Sequence, residues 1–355
     1  MTRERSYTVD LIAGDGIGLE VVPAATRVVD ALAARHGFGV VWRERVWGSA
    51  YFFEHRRMMP VDGIEQLSDG DAILLGAVGH PELPDHETLW GLLIPIRREF
   101  LQYVNLRPVR VLPGVVSPLR EVSELDIVVV RENVEGEYSA IGGRAYRGGA
   151  EEFAVQEAVF TRGGIARVAR FAAELAASRG GNLTSATKSN GIIHSMPFWD
   201  EVVASVVGEY DGVGLRSVLI DALAAALVLR PGDFDVIVAS NLFGDILSDL
   251  IAALAGSIGI APSANINPPR DHPSMFEPIH GSAPDIAGQG VANPVGQFWS
   301  ASLMLEHLGE RDAATALMDA VEDVMRAGTR TRDLGGTAGT EEFTSAVLAA
   351  INTQH

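Results

Sequence analysis

Apolar residues fall into two rhythms along this chain. Residues 7–13 and 235–240 read as strands, and the continuous apolar runs at 71–77 and 126–130 are of buried-strand type. Between them the spacing changes to that of helices. Residues 21–36 read as an amphipathic helix, and Ile165, Val168, Ala169, Ala172 and Leu175 recur at helical intervals. The run at 235–240 leads into a further helix over about residues 243–255. Residues 310–327 and 340–351 close the chain as helices, with Thr340 placed to cap the last one ahead of Glu341 and Glu342. Strands alternating with helices predict an α/β fold in which helices cover a sheet. One stretch breaks the rhythm. Gly142-Gly143-Arg144 through Gly148-Gly149 is polar and glycine-rich, and reads as a loop or an excursion used in subunit contact.

Composition narrows the picture. The length of 355 residues is a soft prior for two domains. A hydrophobic content of 47% with 21% charged residues belongs to a folded globular protein. The net formal charge of −18 argues against a nucleic-acid partner and against an anionic membrane surface. The longest apolar stretches, such as residues 222–229, fall far short of the ~20 residues that span a bilayer. The start, residues 1–7, lacks the apolar core of a signal peptide, so a cytoplasmic protein is expected. With no cysteine, disulfides, thiolate metal sites and a cysteine nucleophile are excluded.

Gly14-Asp15-Gly16-Ile17-Gly18 follows a strand and precedes a helix, as a Rossmann phosphate loop would. That fingerprint needs a glycine three residues after the second one, where Leu19 stands, and it does not place an acid where phosphate approaches. The stretch therefore reads as a tight strand-to-helix turn, and any dinucleotide must be held elsewhere.

Several groups can carry chemistry. Asp245 and Asp249 lie four apart at the start of a helix, so their Cβ atoms sit about 5–6 Å apart on one face. Two like charges there call for compensation, and a hard divalent cation supplies it. Acids on a solvated helix face are the plain alternative, but the neighbours Ile246, Leu247, Leu250 and Ile251 make a wholly exposed helix a poor fit. Asp221 is a third carboxylate, at the end of an apolar run. Arg97, Arg107 and Arg131 lie beside apolar elements in a chain poor in cations, and together they read as an anion site. Any one of them alone reads as a salt bridge, and Arg98 reads as such a bystander. Tyr138 and Lys188 carry little signal singly; Lys188 follows a strand-like run, which allows the burial and lowered pKa that a proton-transferring lysine needs. Residues 277–288, with Asn293, form a breaker-rich loop against which a flat polar ligand could lie.

Taken in order, these segments resemble the β-decarboxylating dehydrogenases, the family of 3-isopropylmalate, isocitrate, tartrate and D-malate dehydrogenases. The resemblance runs from Tyr7 to the C-terminus. It rests on Gly14-Asp15-Gly16-Ile17-Gly18, Asn105-Leu106-Arg107-Pro108, Arg131-Glu132-Asn133, Lys188-Ser189-Asn190, Gly244-Asp245-Ile246-Leu247-Ser248-Asp249 and Glu277-Pro278-Ile279-His280-Gly281-Ser282. It implies two α/β domains sharing a large mixed sheet rather than a standard Rossmann fold. Residues 1–101 and 256–355 would form a discontinuous dinucleotide-binding domain. Residues 102–255 would form the substrate, metal and dimerisation domain, with an arm near 140–160.

The resemblance also implies roles. Arg97, Arg107 and Arg131 would hold substrate carboxylates. Asp221, Asp245 and Asp249 would hold Mg²⁺ or Mn²⁺, Asp221 coming from the partner subunit. Lys188, also the partner's, would be the base and Tyr138 the acid. Asn190 would lie near the nicotinamide, while His280, Gly281, Ser282, Ala283, Asp285, Ile286 and Asn293 would line the adenosine site. Asp285 points to NAD, since an acid accepts from ribose hydroxyls and repels a 2′-phosphate. A monovalent cation such as K⁺ is a further candidate. Within the family, Thr88-Leu89-Trp90-Gly91 and the segments around Arg97 and Lys188 are most similar to the tartrate and D-malate enzymes. Trp90, Leu93 and Ile94 would meet the substituent at C3. The expectation is an NAD- and metal-dependent, decarboxylating oxidation of a small 2-hydroxy dicarboxylate by a homodimer with a shared active site, or a dimer of dimers. A 3-isopropylmalate dehydrogenase and a non-catalytic regulatory subunit are the competing readings.

Overall fold

The computed structural model describes residues 5–119 and 125–353. The first four residues, part of the start that lacks a signal-peptide core, lie outside the described residues. The chain divides into two compact units. Unit 1 comprises Met1–Gln102, Val109–Arg120 and Ala252–His355, and unit 2 comprises Tyr103–Pro108 and Glu121–Ile251.

The strands are β1 (Arg5–Gly14), β2 (Phe38–Glu44), β3 (Ala72–Ala77), β4 (Val104–Arg110), β5 (Asp126–Glu132), β6 (Gly142–Ala145), β7 (Phe153–Gln156), β8 (Asn182–Thr187), β9 (Gly214–Leu219), β10 (Val236–Ala239), β11 (Pro262–Ile266) and β12 (Ser274–Pro278). In unit 1, β1 pairs in parallel with both β2 and β3, β3 pairs in parallel with β12, and β12 pairs antiparallel with β11. All six residues of β3 are buried, as its unbroken apolar run requires of a strand covered on both faces. In unit 2, β5, β10, β8 and β9 follow one another in parallel. Helix Arg162–Arg179 turns Ile165, Val168, Ala169, Ala172 and Ala176 inward, the face read from the spacing. Both units are thus α/β, as expected.

Two local features add detail. Residues 142–156, read as a loop or an excursion, hold β6 and β7, which form an antiparallel ribbon of their own. Thr340 opens the last helix, but its hydroxyl donates to Ala292 O at 2.7 Å. Among the described residues, no helix is long and apolar enough to cross a membrane.

The turn after β1 is an architectural joint. Asp15 is buried, and its carboxylate accepts from Ser49 N (2.8 Å), Ser49 Oγ (2.7 Å) and Gly79 N (2.8 Å). Gly16 has φ +54, and a Cβ there would lie 2.0 Å from Ser282 O, so any side chain would force that loop away. Ile17 N donates to the same Ser282 O at 2.9 Å. Ile17, Val21 and Ala292 form a small core on which Ala283, Ile286 and Ala287 pack. The glycine turn therefore braces the 280–293 loop.

Candidate active site

In unit 2, β4, β5 and helix Asn241–Leu254 bring five of the sequence-predicted residues together. Asp245 lies one turn into that helix. Arg131, near the end of β5, donates from Nη1 to Asp245 Oδ1 at 2.6 Å, and from Nη2 and Nε to Asn241 Oδ1 at 2.7 and 3.1 Å. Arg107 on β4 reaches Asp245 Oδ1 at 3.1 Å and Asp249 Oδ1 at 3.4 Å. Asn105 Oδ1 accepts from Arg107 Nε at 2.6 Å, and Ser248 Oγ accepts from Nη1 at 2.7 Å. Tyr138 Oη donates to Asp245 Oδ2 at 2.7 Å, with the Arg131 guanidinium 5.4 Å from its ring centroid. Gly244 allows this approach, since a Cβ there would lie 2.6 Å from Arg131 Cβ.

Electrostatics follow from this crowding. Burial and the Asp245 carboxylate push the Tyr138 phenol up to about 12, so it holds its proton at neutral pH. Burial, with Asp245 alongside, raises Asp249 above the usual carboxylate range against the pull of Arg107. The two carboxylates lie together on the helix, faced by Arg107 and Arg131, with the Asp249 side chain 52% exposed. Hard oxygen donors in that state suit Mg²⁺ or Mn²⁺. Among the described residues, no three acidic or histidine side chains converge closely enough to hold a metal ion, so Asp221 does not complete the pair within one chain.

Asp221 lies instead in the first turn of helix Ile220–Leu229, where Lys188 Nζ donates to its Oδ1 at 2.8 Å. That hydrogen bond lowers the Asp221 pKa. Lys188 follows β8, and Asn190 is exposed in the turn beyond it.

The remaining candidates lie in unit 1. Arg97 is buried and donates from Nη2 to Glu277 Oε1 at 2.6 Å, while its buried Nε has no partner among the described residues. Asn265 Nδ2 holds the same Glu277 oxygen at 2.9 Å. Trp90 and Leu93 lie on a π-helical turn, Leu89–Leu93, and Ile94 follows it. Leu93 packs on the core and Ile94 is buried. The guanidinium of Arg98 stands 4.9 Å from the Trp90 ring centroid. Burial lowers the His280 pKa, so its ring is neutral at pH 7. Its Nδ1 lies 3.0 Å from Gly281 O, and its buried Nε2 has no partner among the described residues. Gly281 and Asp285 are exposed, and Ser282 is buried against the glycine turn. Asn293 is committed to Asp333 at 2.9 Å. A cavity of about 520 Å³ along the loop is bounded by Gly16, Leu19, Gly79, His80, Pro284 and Ala287. His280 and Asp285 do not themselves line this cavity, although Asp285 stands next to Pro284, which does.

Sequence reasoning missed Asn105, Asn241, Ser248 and Glu137, which hold the arginines, the tyrosine loop and the acidic helix in register. Asn105 and Glu137 do stand within two residues of Arg107 and Tyr138, which was the available signal.

The family model for isocitrate/isopropylmalate dehydrogenase matches residues 8–347. The chain is 53% identical over 349 residues to a probable tartrate dehydrogenase/decarboxylase of Bacillus subtilis (strain 168), covering 98% of each. It is 50% identical over 357 residues to the decarboxylating D-malate dehydrogenase of Escherichia coli (strain K12), covering 98% of this chain and 99% of that one. The crystal structure of isocitrate dehydrogenase from Methylococcus capsulatus superposes with a TM-score of 0.89 at 32% identity, covering 98% of this chain and all of the other.

Proposed function

The chain belongs to the isocitrate/isopropylmalate dehydrogenase family, and from that premise we propose that it oxidises D-malate or tartrate with NAD and a divalent cation, the D-malate reaction ending in loss of CO₂. One observation carries the reading. Two buried guanidiniums, a proton-holding phenol and two adjacent carboxylates share a single cluster in unit 2. Such a set suits a dianionic substrate with a dication, since each arginine and each acid would then meet an opposite charge. Unit 2 is read as the substrate and metal domain, and unit 1 as the dinucleotide domain.

Arg107 and Arg131 orient the substrate carboxylates, with Arg97 read as a third holder. Asp245 and Asp249 would hold Mg²⁺ or Mn²⁺, with Asp221 supplied by a second copy. When bound, these groups supply charge stabilisation at substrate oxygen, from the dication, and acceptance of a hydride, by the dinucleotide. Lys188, from the same second copy as Asp221, takes the proton of the 2-hydroxyl, and in each chain its Nζ lies 2.8 Å from Asp221 Oδ1. Tyr138 delivers its proton to C3 of the enolate left when the β-carboxylate departs as CO₂. His280, Gly281, Ser282, Ala283, Asp285, Ile286 and Asn293, with Asn190, are read as the dinucleotide's residues. Trp90, Leu93 and Ile94 are read as facing the C3 substituent.

The working form is proposed to be a homodimer or a dimer of such dimers. Supporting this, Leu229, on the helix that carries Asp221, is 76% exposed, and Ile193, just beyond the Lys188 turn, is 67% exposed. Ile246, beside Asp245, is also exposed, as are the apolar residues of the β6–β7 ribbon. A cytoplasmic location belongs to the same proposal, since cofactor and diacid are soluble metabolites.

The test is NADH formation by purified protein with Mn²⁺ and, in turn, D-malate, L-tartrate, meso-tartrate, 3-isopropylmalate and isocitrate. Turnover on one or more of the first three is expected. Fast turnover on either of the last two, with none on the first three, overturns the substrate assignment.

A further inference from the structure

The loop that presents Tyr138 is fastened to the start of helix Asn241–Leu254. Glu137 Oε1 accepts from Ser240 Oγ at 2.7 Å, and Glu137 Oε2 accepts from Leu242 N at 3.0 Å. Asn241 Nδ2 donates to Glu135 O at 3.1 Å. On its other side the loop is held by paired backbone bonds between Gly136 and Val159, at 2.7 and 3.0 Å. Tyr138 then reaches Asp245, about one turn further along the same helix.

The first N–H groups of a helix have no partner within it, so the Glu137 carboxylate meets both an open donor and the positive end of the helix dipole. Each of its two oxygens is engaged by a different residue, which fixes both the rotamer and the backbone from which it grows. The next residue is Tyr138, so the direction of its phenol is set by the same clasp. Misplacement of a reacting group by about 1 Å costs on the order of a hundredfold in rate.

We infer that Glu137 is a positioning residue: by clasping Ser240 and Leu242 it sets the Tyr138 hydroxyl against the Asp245-bearing helix, and proton delivery by Tyr138 depends on it. The inference rests on the proposed acid role of Tyr138. Glu137 itself touches no reacting group.

The experiment uses the full-length protein with Mn²⁺, NAD and D-malate, or another diacid that the wild type decarboxylates. Glu137→Ala and Glu137→Gln are made in the wild-type and Tyr138→Phe backgrounds. In the wild-type background Glu137→Ala is expected to lower kcat about tenfold or more, with KM for the diacid changed less than about twofold. Glu137→Gln keeps an acceptor oxygen for one of the two bonds, so it should lose less and guards against a folding defect. In the Tyr138→Phe background Glu137→Ala should cost under about twofold more, because nothing is left to position. Hydrogen exchange in the peptides covering residues 134–139 and 241–244 reads the clasp without cofactor or substrate, and should quicken in Glu137→Ala. If Tyr138→Phe lowers kcat but Glu137→Ala lowers it equally in both backgrounds, or not at all, the positioning role is overturned while the role of Tyr138 stands. If Tyr138→Phe leaves kcat unchanged, both fall. If the wild type turns over no diacid, the proposed function falls, and exchange alone decides: unchanged exchange in Glu137→Ala overturns the clasp, and faster exchange upholds it.

Discussion

Unit 2 holds two sets of charged residues built on opposite terms. Arg131 is 2% exposed, donates with all three guanidinium nitrogens, and shares Asp245 with Arg107 and Tyr138. Lys188 and Asp221 are 30% and 66% exposed and meet through one bond of 2.8 Å. Removing one member of a buried set leaves an uncompensated charge, at a cost of about 3–5 kcal/mol. An exposed pair loses its attraction to solvent and salt, and contributes little to folding. The cluster is therefore bound up with the fold itself, while the Lys188–Asp221 pair is free of structural duty. Exposed Ile193 and Leu229 belong to the same segments as this pair, Leu229 at the opposite end of the helix that carries Asp221.

The largest expected effect separates the two sets most sharply. Lys188→Ala should lower kcat by about 10²–10⁴-fold, the usual contribution of a proton-transfer group, while its denaturation midpoint stays near that of the wild type. Steady-state kinetics beside a urea titration decides it, and unchanged turnover would reduce the pair to decoration.

Next comes Glu132, on the buried side of the comparison. It follows Arg131 in the chain and is wholly buried, and burial drives its pKa up to about 7 despite backbone N–H bonds from Val134 and Glu135. A carboxyl whose pKa rises on folding binds its proton more tightly in the native state. Its stabilising contribution is full below about pH 4.5, the unfolded value, and declines as pH rises towards about 7. Wild-type unfolding free energy should therefore fall across that window, by up to about 1.4 kcal/mol per pH unit, and Glu132→Gln should flatten the slope. Parallel slopes for the two proteins would refute the assignment.

The smallest effect belongs to Asp249, which stands between the two extremes: half-exposed, and tied to Arg107 only at 3.4 Å. Asp249→Ala should raise the Mn²⁺ midpoint for activity about tenfold or more while leaving the melting temperature within a few degrees. An unchanged Mn²⁺ titration would remove Asp249 from the ligand set.

Much of this was legible in the residues. The unbroken apolar run of β3 and the helical recurrence of Ile165, Val168, Ala169 and Ala172 define their elements locally, and both are found. The Asp245–Asp249 spacing put two acids on one face. What spacing could not supply was where each partner comes from. Asp15 is spent on Ser49 and Gly79, which lie 34 and 64 positions away. Arg131 is fixed by Asn241, 110 positions on, and Arg107 by Ser248, 141 positions on. The strand pairing within the β6–β7 excursion was not legible for another reason. Its residues are mostly exposed, so no buried face leaves a period in the sequence.

Asp245 answers to two guanidiniums and a phenol at once. A cation that drew that carboxylate away would release one bond from each of three donors in the same event, and two of them, Arg107 and Arg131, are the proposed holders of the dicarboxylic acid. Under the proposed function, the two ligands would then strengthen one another's binding by an identical factor, with Asp245 as the link between them.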